Sequence, residues 1–266
     1  MKRWWVGLLV FGTATAAVHW RLAGLPEHAL SVPAVLAHFG IAFFLYLGAC
    51  ASAHRLRASR PALVVIWSFT VAAASLIPYL TSPLELSPEP HRFRWDGRVA
   101  EAGFHPYTVS PDDPEMAGLR AEFDRPVPNP DRRGLYPPLA ELLFYALARL
   151  DADSLLHYRA LLAMTALLCG LALLALAREV GVPVVRVVDF LWHPLLIVET
   201  AAGAHLESLP LLLLLVSLGL LVTRHHLNPL TTLALATLAK AFPAALLPLY
   251  LRRIPPYRML LFFLVL

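Results

Sequence analysis

The residues best suited to chemistry lie in one stretch near the middle of the chain, Ser87–Arg98. Within twelve residues it holds two carboxylates, Glu89 and Asp96, together with three arginines, a histidine, a phenylalanine and a tryptophan. Guanidinium groups pair with phosphate, and aromatic faces carry sugar rings or lipid. A carboxylate beside them can act as a general acid or base. The stretch therefore suits a phosphorylated, partly apolar ligand; an ordinary solvated loop with aromatic anchors at a membrane surface is the open alternative.

A second group of ionisable residues lies much later in the chain, beside strongly apolar segments. It comprises His193, Glu199, His205, Glu207 and Lys240. Ionisable groups at membrane depth are costly and usually face a cavity or a partner. Lys240 is the strongest of these signals, because nothing nearby in sequence neutralises it. Glu199, His205 and Glu207 fall at a segment boundary, so simple extension of their side chains to water is an alternative for them.

The composition shows what kind of chain must position these residues. Of its 266 residues, 58% are hydrophobic and 15% are charged, whereas soluble domains have about 45–50% apolar and about 25% charged residues. This excludes a disordered chain, a nucleic-acid-binding arm and a secreted disulfide scaffold. Cys50 and Cys169 both lie inside apolar runs, so neither a disulfide framework nor a metal-ligand cluster is predicted. A polytopic membrane protein remains.

A helix that crosses about 30 Å of hydrocarbon needs about 20 mostly apolar residues. The predicted spans are Trp4–Trp20, Val32–Ala53, Pro61–Leu80, Leu155–Ala177, Val182–Val198 and Leu206–Thr223. Pro138–Leu150 is too short to cross, and its leucine stripe at helical spacing predicts a helix that lies on the membrane surface. Pro229–Leu251 is interrupted by Lys240 and Pro243. We expect it to form two half-length helices that meet near the outer face of the membrane, so that both ends of the segment lie on the inner side.

Basic residues predict the orientation of these spans. Lys2 and Arg3 place the N-terminus in the cytoplasm. The other basic residues assigned to the cytoplasmic side are Arg55, Arg57, Arg60, Arg178, Arg186, Arg224, Arg252 and Arg253. The segment Ser82–Leu135, in which ten acidic residues outnumber seven arginines, then lies outside the cytoplasm.

The predicted fold class is an all-α polytopic transmembrane helix bundle, with a large extracytoplasmic loop carrying short helices between the third and fourth spans. Residues 1–81 form a three-span segment, and residues 82–150 form the loop with its surface helix. Residues 151–266 form a second transmembrane segment. The apolar run Arg258–Leu266 stops after about half a crossing, which predicts a C-terminally truncated fragment.

The order of short motifs adds a resemblance to a known family. The motifs are Arg92–Val99 (RFRWDGRV), Ala102–Tyr107 (AGFHPY), Pro111–Pro114 (PDDP), Tyr136–Pro138 (YPP), Trp192–Leu195 (WHPL), His205–Glu207 (HLE) and Lys240–Pro243 (KAFP). In this order and on the predicted side, they resemble bacterial integral-membrane glycosyltransferases of the GT-C superfamily. The most similar group is the mannosyltransferases that use polyprenyl-phosphate sugars, over about Leu76 to Leu251.

The resemblance implies an enzyme of the bacterial cytoplasmic membrane that transfers a hexose from a polyprenyl phosphate to a glycan or glycolipid outside the cytoplasm. Mannose is the first candidate for this hexose. Glu89 is the first candidate for the general base and Asp96 the second. The other candidates are Arg92, Arg94, His205 and Lys240 for the donor phosphate, and Trp95, Tyr107, Tyr136, Glu207 and His193 for the sugar or lipid. Membrane lipids are expected partners and nucleic acid is not. A Mg²⁺ or Mn²⁺ ion between carboxylate and phosphate is compatible with this chemistry, although no spacing demands one and no metal ligand is predicted.

Two acidic positions depart from the pattern of that family. Glu89 and Glu207 stand where aspartates are usual, which lengthens each side chain by one methylene. A non-catalytic relative is therefore an alternative. A transporter or flippase for a polyisoprenoid or a small anion is another, although only one interrupted segment is present, with no second copy.

Overall fold

A computed structural model describes residues 2–26, 29, 31–56, 60–83, 85–123, 125–151, 154–223 and 228–266. Two of the arginines used to predict orientation, Arg57 and Arg224, lie outside the described residues. The α-helices are α1 (Lys2–Ala23), α2 (Val32–Leu56), α3 (Pro61–Leu76), α4 (Glu89–Glu101), α5 (Ala117–Ala121), α6 (Pro138–Leu150), α7 (Leu156–Glu179), α8 (Val187–Leu191), α9 (Pro194–Ile197), α10 (Ser208–Thr223), α11 (Pro229–Ala239), α12 (Leu247–Leu251) and α13 (Leu260–Val265). No strand occurs among these residues, so the predicted all-α bundle is confirmed.

Four helical segments are long and apolar enough to cross a membrane. They are Lys2–Ala23, Val32–Leu56, Pro61–Tyr79 and Leu156–Glu179, and they match four of the predicted spans. The predicted span Leu206–Thr223 is a helix, α10, which begins two residues later, at Ser208, and has 16 residues. The protein is an integral membrane protein with several apolar helices, as its composition indicated.

The predicted span Val182–Val198 is not one helix. A short 3₁₀ turn, α8 and α9 occupy it. Helix α8 ends at Leu191, and His193 is extended because Pro194 follows it. A π-helix, Val198–Ala202, continues α9. The segment nevertheless runs the length of the bundle. One core cluster includes Leu8, Leu56 and Val185, and another, at the opposite end, includes Leu22, Tyr79 and Ile197.

The segment that begins at Pro229 turns back, as predicted. Helix α11 ends at Ala239, and Lys240 is extended, with φ −160° and ψ 143°. The chain then turns and forms α12. The Tyr250 hydroxyl lies 2.7 Å from Ser217 Oγ, and that Oγ donates to the carbonyl of Pro229. The two ends of this segment therefore meet beside α10, while Lys240 lies at its tip.

The loop end of the bundle is where α1 and α3 end and α7 begins. Ser82 Oγ donates to the carbonyl of Ala23 at 2.6 Å. Arg159 Nη1, near the start of α7, donates to the carbonyls of Tyr79 and Ser82 at 3.0 and 2.7 Å. These bonds fix the first residues of the long loop onto three helices, so α4 begins at a defined position.

Helices α4 and α6 pack side by side at the loop end. The rings of Phe93 and Phe144 stack with centroids 4.6 Å apart. The opposite face of α6 leaves Leu142 and Leu150 exposed. A helix with one packed face and one exposed apolar face fits the predicted position on the membrane surface.

Candidate active site

The first residue of α4, Glu89, is held at the loop end by its neighbours in sequence and by Tyr136. Prolines at the start of α4 carry no N–H to leave unbonded, and a carboxylate is favourable near the positive end of a helix. The Tyr136 hydroxyl donates to Glu89 Oε2 at 3.2 Å. The Glu89 side chain is 48% exposed. This carboxylate is therefore fixed at one oxygen and open to a ligand.

His205 lies beside Glu89, with Nε2 4.0 Å from Glu89 Oε2. The irregular backbone after α9 places it there. The π-helix ends at Ala202, and Ala204 adopts a left-handed conformation with φ 48°. On the other side of the ring, Nδ1 makes a short hydrogen bond with the Glu199 carboxylate. The imidazole is therefore flanked by two carboxylates.

Lys240, at the tip of the re-entrant segment, forms a short ion pair with Glu207. Because Glu207 comes two residues after His205, the pair extends the same group. Burial and the negative charges of Glu89 and Glu207 raise the pKa of the Tyr136 hydroxyl, so it stays protonated and keeps its role as a hydrogen-bond donor.

The structure thus brings together residues that are far apart in sequence. This loop-end cluster consists of Glu89, Tyr136, Glu199, His205, Glu207 and Lys240. Its charged side chains are between one quarter and just over half exposed. Three carboxylates, a lysine, an imidazole and a phenol in an open site can exchange protons and bind an anion.

Asp96 and Arg92 form a separate, buried pair. Arg92 Nε lies 3.0 Å from Asp96 Oδ1, one helical turn away, and Arg92 Nη1 donates to the carbonyl of Asn129 at 3.2 Å. Only 1% of the Asp96 side chain is exposed. Burial raises the pKa of Asp96 to about 6, although Arg92 opposes the shift. The pair ties α4 to the loop, and its carboxylate is closed to solvent.

Glu141 of α6 accompanies this buried pair. Burial, and next the charge of Asp96, raise the pKa of Glu141 to about 8. The guanidinium of Arg92 and the backbone N–H of Tyr136 oppose this shift. The sequence alone gives no sign of this arrangement, because Glu141 lies on α6 and Asp96 lies on α4, 45 residues earlier in the chain.

Arg94 and Trp95 belong to the core of the loop. Trp95 is 1% exposed, and its ring centroid lies 5.4 Å from that of Phe123. The Arg94 guanidinium lies 5.4 Å from the same Phe123 ring, and its Nη1 is 3.5 Å from His91 Nδ1. Neither residue reaches the loop-end cluster.

The two remaining candidates, Tyr107 and His193, lie in different parts of the structure. The Tyr107 hydroxyl donates to the backbone carbonyl of Tyr136 and so supports the cluster from behind. His193 lies within the bundle, where its ring faces Tyr46 and Phe43 at 5.1 and 6.3 Å. Among the residues that the structure describes, no three His, Cys, Asp or Glu side chains are grouped as a bound metal would require.

Together, the apolar helix bundle and the polar site at its loop end define an integral-membrane protein built for polar chemistry at the membrane surface. Residues 3–253 match a family described as alpha-(1->6)-mannopyranosyltransferase, N-terminal domain (the MptA_B family). The chain belongs to this family of mannosyltransferases, and the resemblance to membrane mannosyltransferases drawn from the motif order is confirmed. No curated protein and no solved structure matches the chain significantly.

Proposed function

We propose that this membrane mannosyltransferase takes mannose from a polyprenyl-phosphate donor and transfers it to a glycan or glycolipid hydroxyl on the extracytoplasmic side. The observation that carries the proposal is the approach of His205 to Glu89 at the loop end of the bundle, together with the ion pair that Lys240 forms with Glu207, two residues after His205. A lipid-linked donor keeps its polyprenyl chain in the bilayer, so its phosphate lies at the membrane surface. A partly exposed cation and imidazole at the ends of apolar helices suit such a phosphate.

In this mechanism, Glu89 accepts the proton of the acceptor hydroxyl. The hydroxyl oxygen bonds to the anomeric carbon of mannose as the bond from that carbon to the phosphate oxygen breaks. Polyprenyl phosphate leaves with one more negative charge than it had in the ester. Lys240 and His205 stabilise that charge as it develops. The proton stays on Glu89 until it passes to water.

Glu89 suits the role of base better than Asp96. Its side chain is about half exposed and one of its oxygens receives a hydrogen bond from Tyr136. Asp96 is fully buried against Arg92, where no acceptor sugar reaches it. The same argument assigns the phosphate to His205 and Lys240. Arg92 and Arg94 instead hold α4 in place.

The extracytoplasmic side of the reaction rests on the distribution of basic residues. Lys2 and Arg3 lie at one end of α1, and Ala23, at the other end, bonds to Ser82 at the start of the long loop. If the basic end faces the cytoplasm, the loop-end cluster faces outwards. In this proposal the enzyme lies in the bacterial cytoplasmic membrane, and donor and acceptor meet at its outer surface.

The test compares Glu89→Gln with wild type, using synthetic polyprenyl-phosphate [¹⁴C]mannose and an alkyl mannoside acceptor. Glutamine keeps the size and one oxygen of the side chain but cannot accept the proton, so we expect kcat to fall about 10²- to 10⁴-fold. Glu101→Gln is the matched control, because Glu101 is an exposed carboxylate at the other end of α4. Undiminished transfer by Glu89→Gln would remove Glu89 as the base. Transfer from GDP-mannose but not from the lipid-linked donor would refute the donor.

A further inference from the structure

We infer that Glu199 is a positioning residue that acts through His205, although it touches neither the reacting atoms nor Glu89. The inference rests on the proposed function, because it names a further residue of the same site. The feature that carries it is the pair of contacts on the His205 ring: Nδ1 bonds to Glu199, while Nε2 faces Glu89 at 4.0 Å.

Glu199 holds His205 with its backbone as well as its side chain. The His205 N–H donates to the Glu199 carbonyl at 3.0 Å, while the carboxylate of the same glutamate bonds to the ring. This arrangement depends on the π-helix, since Gly203 N–H reaches back to the carbonyl of Val198 at 2.9 Å. Single π-helical turns are rare and occur frequently at functional sites.

Gly203 gives a second, independent sign that the ring position is built in. A Cβ atom added to Gly203 would lie 3.4 Å from both Cε1 and Nδ1 of His205, and 3.0 Å from the Glu199 carbonyl. The imidazole therefore packs directly on the glycine backbone. The contact with Gly203 and the hydrogen bond from Nδ1 to Glu199 together fix the plane and the direction of the His205 ring.

The consequence is a defined role for each ring nitrogen. When Nδ1–H donates to Glu199, a proton on Nε2 is directed at Glu89 and at the phosphate of a ligand in the open part of the site, as the stabilising role of His205 requires. Without Glu199, the ring can rotate and exchange its tautomers. A third group that orients an imidazole in this way is a general feature of activated sites. An ion pair this exposed contributes little to folding stability, so stability alone does not account for the contact.

The experiment is a double-mutant cycle on the full chain. Wild type, Glu199→Ala, His205→Ala and the double variant are compared in transfer from polyprenyl-phosphate mannose. We expect Glu199→Ala to lower kcat about 10- to 100-fold, as loss of an orienting partner typically does, with a much smaller change in donor KM. In the His205→Ala background the same substitution should change kcat less than about twofold, because residues that act as a unit are non-additive. Glu199→Gln, whose amide oxygen still accepts from Nδ1–H, should recover most of the loss.

A second measurement does not depend on catalysis. In protein labelled with [¹⁵N]histidine, the resonances that disappear in His205→Ala report the tautomer of that ring. We expect Nδ1 to carry a proton in wild type and Glu199→Gln, and the Nδ1 and Nε2 signals to be averaged in Glu199→Ala. Additive losses in the cycle, full activity of Glu199→Ala, or an unchanged tautomer would each overturn the inference. If Glu89→Gln loses activity but Glu199→Ala remains active, the role of Glu199 is refuted and the role of Glu89 stands. If Glu89→Gln remains active and the double-mutant cycle is non-additive, Glu89 is not the base, while the role of Glu199 in positioning His205 stands.

Discussion

Gly97 offers the sharpest test of how the site is positioned, because α4 and α6 approach each other most closely there. A Cβ atom added to Gly97 would lie 2.4 Å from the carbonyl oxygen of Phe144, 2.8 Å from its carbonyl carbon and 3.0 Å from Ala148 Cβ. Ordinary contacts between heavy atoms begin near ~3.5 Å. Two of these neighbours are backbone atoms, so no side chain can turn aside. The helices have to separate before a methyl group fits.

The expected magnitude is the difference between two effects. Alanine instead of glycine inside a helix ordinarily stabilises by about 0.5–1 kcal/mol. Forcing an extra carbon into a packed contact costs about 1–3 kcal/mol, and backbone neighbours favour the upper part of that range. We therefore expect Gly97→Ala to lower the free energy of unfolding by about 1–2 kcal/mol net. Separation of the helices also displaces Glu89 from Tyr136, so transfer should fall by more than the loss of folded protein explains.

Gly118→Ala is the matched control. Gly118 lies within α5, and a Cβ atom added there has no neighbour within 4 Å among the described residues. It should be neutral or slightly stabilising. Both variants are measured by thermal unfolding in detergent, followed by tryptophan fluorescence, and by transfer at equal amounts of folded protein. If Gly97→Ala is as stable and as active as Gly118→Ala, close packing of α4 on α6 does not position Glu89.

Two further predictions concern the buried acid and the membrane side. Burial raises the pKa of Glu141 from its ordinary 4.5 to about 8, so the folded protein retains a proton that the unfolded chain has released. Its contribution to stability is present below pH 4.5 and is lost as pH rises to about 8. Glu141→Gln should flatten this loss in unfolding measurements across that range; an equal slope in both proteins would contradict the assignment. Separately, Ala102→Cys, at an exposed position in the loop, should react with a membrane-impermeant maleimide in intact cells, and reaction only after permeabilisation would place the loop in the cytoplasm.

The bundle was largely predictable because its signals are local. Long apolar runs predict α1, α2, α3 and α7, and Pro243 beside Lys240 predicts the re-entrant break. The helix α4 was not predicted. Its sequence EPHRFRWDGRVAE is polar, a composition typical of an exposed loop. In the structure, however, Arg92, Arg94 and Asp96 are buried. Their burial depends on partners contributed by the rest of the loop and by α6, and no local pattern encodes such partners.

For the site, too, the sequence indicates single residues but not the contacts between them. The residue types at Glu89, His205 and Lys240 mark them as candidates, since ionisable groups beside apolar helices are rarely incidental. Which groups pair is a property of the fold. The sequence links neither Glu141 to Asp96 nor Lys240 to Glu207, because the two members of each pair come from separate segments of the chain. A tryptophan ring is suited to stacking on a sugar, but the Trp95 ring packs into the core of the loop.

The loop-end cluster forms where regular helix is interrupted, and this has a physical reason. His205 follows a π-helix and a left-handed residue, and Lys240 lies in an extended turn between two half-helices. A continuous apolar helix would leave each of these side chains facing lipid or neighbouring apolar side chains. A break tilts the backbone and directs the side chain towards another interrupted segment, where an opposite charge lies within reach. If this reasoning holds, restoring regular helix at either break should cost activity even when every charged side chain is retained.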